Sequence, residues 1–124
     1  MNERILVADD NRANLDLMLY LLRAFHYEAE GASDGLAALS AVQSGEFALI
    51  LTDILMPGID GYELLRRVRD DERIASTPLI AVTALAMPSD AERIAHAGFD
   101  GYITKPIEPQ TFVSQVAAFL RPPA

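Results

Sequence analysis

The sequence predicts an α/β fold, a parallel sheet with helices on both faces. Two observations carry this. Short apolar runs recur about five times, and each is followed by a longer stretch with apolar residues at helical spacing. Several of those runs end in Asp, Thr or Lys, which is where the strands of a parallel sheet present side chains to a ligand.

Ile5 to Ala8 is the first run. It ends in Asp9-Asp10-Asn11 and reads as a central strand buried on both faces. A helix follows, with Leu15, Met18, Leu19 and Leu22 spaced i, i+3, i+4, i+7 on one face. Tyr27 to Ala32 alternates in polarity like an edge strand. Ser33 or Asp34 can cap the next helix, which carries Leu36, Leu39 and Val42 and stops at Ser44-Gly45. Phe47 to Thr52 is the strongest strand signal and runs directly into Asp53. Met56-Pro57-Gly58 breaks the pattern, and Asp60-Gly61 opens a helix with Leu64, Leu65 and Val68 inward. Pro78 to Thr83 is the fourth strand. Pro88-Ser89-Asp90 starts a helix that ends at Gly98, and Asp100 to Thr104 is the last strand. Pro106 and Pro109 flank the start of a final helix with Phe112, Val116, Phe119 and Leu120. Arg121-Pro122-Pro123-Ala124 cannot extend it. The expected organisation is one domain over residues 1–121 and a tail over 122–124, with no repeat beyond the β-α unit. Met1 favours an intact start, and the Pro-Pro tail reads equally as an end or as a linker stub.

Composition narrows the function. At 124 residues, 51% hydrophobic and 23% charged, the chain is long and apolar enough for a packed core. It has no cysteine, which excludes disulfides and thiolate chemistry and suits a cytoplasmic location. A formal net charge of −8 opposes nucleic-acid binding, and no apolar run reaches the ~20 residues of a membrane span. His26 and His96 lack partner clusters and read as surface residues.

At the carboxyl rim of the sheet the order of elements places Asp9 and Asp10 after strand one, Asp53 after strand three, Thr83 and Ala84 after strand four, and Lys105 after strand five. Three carboxylates crowded together require a proton or a cation. An all-oxygen donor set suits Mg²⁺, with Asp10 as a direct ligand, Asp9 acting through water, and the backbone carbonyl of Leu55 as a further ligand. Asp53 is placed as the nucleophile that takes up a phosphoryl group. Lys105 and the Thr83 hydroxyl offset charge on its oxygens. Asp9 and Asp10 taken alone would read as a solvated loop; it is their combination with Asp53 and Lys105 that argues for a site.

Ile-Leu-Val-Ala-Asp9-Asp10-Asn, Leu-Thr-Asp53-Ile-Leu-Met-Pro57-Gly-Ile-Asp60-Gly61, Ala-Val-Thr83-Ala84 and Lys105-Pro106 together resemble response-regulator receiver domains, over essentially the whole chain. Val82 to Pro106 is particularly similar to single-domain receivers of the DivK type and to receivers of hybrid histidine kinases. The resemblance implies a flavodoxin-like fold with strand order 2-1-3-4-5. It implies a bacterial signalling switch, not a turnover enzyme, that receives phosphate on Asp53 from a histidine kinase or histidine phosphotransfer protein. It also implies Mg²⁺ (Mn²⁺ able to substitute), phosphoryl binding by Thr83, Ala84 and Lys105, and a cis Lys105-Pro106 peptide. The implied switch couples Thr83 to Tyr102 and reshapes the face of the fourth helix, fifth strand and fifth helix for a downstream protein or a homodimer. Tyr102 reads equally as a partly buried aromatic with no such role. Asn11, Arg12, Asn14, Leu15, Pro57 and Pro106 are implied docking contacts. In the family, the side chains two after the acceptor and two after the threonine flank the hydrolytic water. Here they are Leu55 and Leu85, so a long-lived acyl phosphate is expected.

Three other readings compete. A haloacid-dehalogenase-type phosphatase needs an Asp-x-Asp pair and a larger chain. A flavin or nucleotide carrier needs a Ser/Thr/Gly-rich cradle after strand one, where this chain has acids. A pseudo-receiver would lack the intact acceptor site.

Overall fold

The computed structural model describes residues 3–84 and 87–120. Leu85 and the expected tail at 122–124 lie outside the described residues. Five strands, β1 (Arg4–Ala8), β2 (Glu28–Ala32), β3 (Leu49–Asp53), β4 (Leu79–Thr83) and β5 (Gly101–Thr104), alternate with five helices, α1 (Arg12–Ala24), α2 (Gly35–Ser44), α3 (Gly61–Asp70), α4 (Pro88–Ala97) and α5 (Pro109–Leu120). All strand pairs are parallel and the order is β2-β1-β3-β4-β5. The chain therefore runs outward from β1 to β2, then returns past β1 and continues the other way. The crevice at that reversal lies between the ends of β1 and β3.

Pleat alternation sorts the core into two layers. Ile5, Val7, Leu49, Leu51, Ile80, Val82 and Ile103 pack with α1 and α5. Leu6, Ala8, Ile50, Leu79 and Ala81 pack with α2, α3 and α4. Continued past the strand ends, the same parity sends Asp9, Asp53 and Lys105 toward the α1/α5 side. Thr83 falls on the other side, and Asp10 follows in a bend beyond β1.

The helix starts are capped by the residues the sequence offers. Asn11, Asp34 and Asp60 accept hydrogen bonds from the Asn14, Ala37 and Glu63 amides at 3.0, 2.7 and 2.9 Å. Gly98 ends α4 at φ 109°, a left-handed conformation that favours glycine.

Some expectations shift. β3 begins at Leu49, not Phe47; Phe47 instead lies under the Arg4 guanidinium, 4.7 Å from its ring centroid. Leu36 is 56% exposed, because α2 buries Gly35, Ala38, Leu39 and Val42.

Gly61 is the glycine that packs directly on the Asp53 backbone. A Cβ there would stand 2.6 Å from the Asp53 carbonyl oxygen and 2.9 Å from Ile54 Cα, while the Gly61 amide donates to the Ile54 carbonyl at 2.8 Å. We expect Gly61→Ala to displace the Asp53 backbone and to cost about 1–3 kcal/mol in urea denaturation.

Candidate functional site

The last residue of β3 and the residues that follow β1 and β5 meet at one place. The Lys105 ammonium lies 3.0 Å from Asp9 Oδ2 and 3.1 Å from Asp53 Oδ2. Asp9, Asp10 and Asp53 each contribute a carboxylate oxygen to a group lying within 4.8 Å of one another. Asp9 is fully buried; its Oδ1 accepts from the Asn11 amide at 2.8 Å, two residues on. Asp53 and Lys105 are largely covered, and Asp10 is exposed. The Lys105 amide donates to the Thr83 carbonyl at 2.9 Å, which ties β5 to β4 at the rim, and the Lys105-Pro106 peptide is cis.

Thr83 ends β4 one residue beyond Val82, the register partner of Asp53, and is half-buried; Ala84 is exposed. Leu55 is 77% exposed, and its backbone hydrogen bond favours the Asp53 carboxylate. Tyr102 is 43% exposed on the edge strand β5. Asn11, Arg12, Pro57 and Pro106 are exposed and Asn14 is half-buried. Leu15 does not share that surface. It is 5% exposed and packs over Gly31, so the rim of α1 is made by its neighbours. The Asn11 amide is the contributor the sequence reading missed. Asp followed two residues later by an amide donor is an ordinary Asx-turn signal.

Electrostatically the pocket is acidic with a single cation. Burial raises the Asp53 carboxyl above its ordinary 3.8; Lys105 pulls it down and Asp9 pushes it up, and the net shift is upward. Lys105 loses some basicity to burial, but Asp9 and Asp53 more than restore it, so its net shift is upward from 10.5.

The Asp53 shift has a stability consequence. Its raised value means the folded state binds that proton more tightly than the unfolded state does. In metal-free protein, this contribution is present at low pH and is lost as pH rises from 3.8 through the folded value. Asp53→Asn should remove the loss. Chemical denaturation in chelator should show the variant gaining on the wild type as pH climbs through that window.

The donor set fits a hard divalent cation. It consists of oxygens, and the buried Asp9 Oδ2 has the Lys105 ammonium as its one close partner among the described residues. Among the described residues, no helix is long and apolar enough to cross a membrane.

An open parallel sheet carrying an acid cluster and one ammonium at its switch point is a site suited to a divalent cation and a phosphoryl group. Residues 5–117 match the response regulator receiver domain family, and the chain belongs to it. It is 37% identical over 120 residues to the polar-differentiation response regulator DivK of Brucella ovis, covering 97% of this chain and 98% of that one. Among solved structures it is similar to the chemotaxis response regulator CheY4 of Vibrio cholerae, with a TM-score of 0.90 and 27% identity over 96% of this chain and 99% of that one. It is also similar to the receiver domain of the sensor histidine kinase PA1611 of Pseudomonas aeruginosa, with a TM-score of 0.87 and 28% identity over 97% and 98% of the two chains. That structure has a magnesium ion coordinated in its active-site cleft.

Proposed function

We propose that this receiver domain accepts a phosphoryl group on Asp53 from the phosphohistidine of a histidine kinase or histidine phosphotransfer protein. The observation that carries the reading is the Lys105 ammonium held against both Asp9 and Asp53. Three distant chain segments meet there, in a family whose members are signalling proteins.

An Asp53 oxygen attacks phosphorus, the N–P bond breaks, and its electron pair stays on the donor imidazole. Lys105 and the Thr83 hydroxyl donate to the phosphoryl oxygens, together with the backbone of Ala84. Asp10, Asp53 and the Leu55 carbonyl, with Asp9 behind them, would hold Mg²⁺ or Mn²⁺, which supplies charge neutralisation for the incoming anion. Asn11, Arg12, Asn14, Pro57 and Pro106 form the rim on which the donor docks. Loading draws Thr83 toward the phosphoryl oxygens and lets Tyr102 turn inward, which remodels the α4-β5-α5 face for a downstream protein. The PA1611 magnesium and that protein's histidine kinase context support the metal and donor assignments.

Incubation with a radiolabelled phosphotransfer protein tests this. Label should appear on the chain as a base-labile, hydroxylamine-sensitive acyl phosphate. Base-stable label, or none, removes the reading. The apolar Leu55 beside the acceptor leaves a hydrolytic water without an orienting partner. Leu55→Asn should therefore shorten the acyl-phosphate half-life severalfold, read by loss of label over time; an unchanged half-life rejects that role for Leu55.

A further inference from the structure

We infer that a Tyr62–Arg93 stack is a clasp holding α4 against α3 in the unloaded protein, and that it opens when Asp53 carries its phosphoryl group. This rests on the phosphoacceptor reading above.

Three observations converge on it. First, α4 is weakly anchored: Ile94 is its one buried residue among the described ones, where α1 buries five and α3 four. Second, an aromatic contact joins α4 to α3. The Arg93 guanidinium sits 5.4 Å from the Tyr62 ring centroid, and Tyr62 meets Phe99 edge-on at 5.8 Å. Among the described arginines, Arg93 alone has a guanidinium with no hydrogen bond or ion pair; the others bind carboxylates or backbone carbonyls. Third, there is room to move. A cavity of about 320 Å³ is lined by Leu55, Thr83 and Ala84 near the acceptor together with Tyr62 of α3 and Asp90, Arg93 and Ile94 of α4.

An exposed cation–π contact is weak and depends on geometry, so it holds a helix without fixing it. Thr83 and both clasp residues line the same cavity. A shift of α4 into that space separates the guanidinium from the ring. A contact made only in the unloaded state opposes loading. By linkage, its removal tightens every ligand that selects the loaded state.

The test is a titration with beryllofluoride, a phosphoryl mimic, in excess Mg²⁺, followed by amide NMR shifts. Tyr62→Leu and Arg93→Ala should each lower the half-saturating concentration about two- to fivefold. The double variant should gain no more than either single. Tyr62→Phe, which keeps the ring, should match the wild type. Arg93 is exposed, so Arg93→Ala gives the result even if Tyr62→Leu folds poorly. Unchanged or weakened binding in Arg93→Ala, or additive effects in the double variant, overturns the clasp. If the wild type binds no beryllofluoride, the phosphoacceptor reading fails and the clasp with it. Binding by the wild type without the variant effect sinks the clasp alone.

Discussion

Asp53→Ala should take up no phosphoryl group from either a phosphohistidine donor or acetyl phosphate, with labelling falling to background. No neighbouring carboxylate is placed to substitute. Asp9 is fully buried, with Oδ1 committed to the Asn11 amide and Oδ2 set against Lys105. Asp10 is exposed and shares the cluster, but among the described residues it makes no ion pair with Lys105. The loss should therefore be one of chemistry and not of folding. Removing a carboxylate whose charge is disfavoured by burial should leave the metal-free variant at least as stable as the wild type at neutral pH. Circular dichroism and urea denaturation beside the labelling assay separate the two effects. Label retained at a comparable rate would mean that another residue accepts the phosphoryl group.

Lys105→Met should damage both transfer and stability. The ammonium is 3.0 Å from Asp9 and 3.1 Å from Asp53, and its side chain is only 16% exposed. Without it, Asp9 Oδ2 is a buried anionic oxygen facing two other acids. Breaking one side of a buried charge pair costs several kcal/mol. Partial solvent access here places the expected loss at about 2–3 kcal/mol in urea denaturation. The transfer rate should fall on the order of a hundredfold or more, as when a preorganised donor to a developing anion is removed. Lys105→Arg should recover part of the stability but little of the rate, because the planar guanidinium cannot occupy the point between two carboxylates that an ammonium fills. A rate within twofold of the wild type in Lys105→Met would contradict the role given to the amine.

Much of the fold was legible because local signals agreed with the global order. Asn11, Asp34 and Asp60 cap the helices they precede, and Gly98 stops α4 with a positive φ. The rim was legible because strand ends in a parallel sheet share one edge, so Asp9, Asp53 and Lys105 could be brought together from element order alone. What the sequence hid has physical causes. Leu39 and Val42 are buried as expected, but Leu36 outweighs Gly35 and Ala38 in hydrophobicity, so apolar weight adds Leu36 to a face it does not share. The buried row uses small residues because Ile59 of the acceptor loop approaches Gly35 closely. Leu15 belonged to the helical face already identified, and burial removes it from the docking surface. Long-range arginine contacts leave no periodic trace. Arg73 reaches the carbonyls of Val42 and Gly45 at the end of α2 from the segment after α3. Arg69 joins Ala75, Thr77 and Asp100 across the sheet's other end. The Tyr62–Arg93 pair is equally silent, since nothing in its spacing distinguishes a stacked arginine from a solvated one.

The central claim is that the acid cluster admits a phosphoryl group onto Asp53 only when cationic charge balances it. Intact-mass measurement of wild-type protein after incubation with a small-molecule phosphodonor, once with Mg²⁺ and once with chelator, reads this directly. One added phosphoryl group per chain with Mg²⁺, and none with chelator, is the expected result. Equal uptake under both conditions, or uptake mapped to a residue other than Asp53, would contradict it.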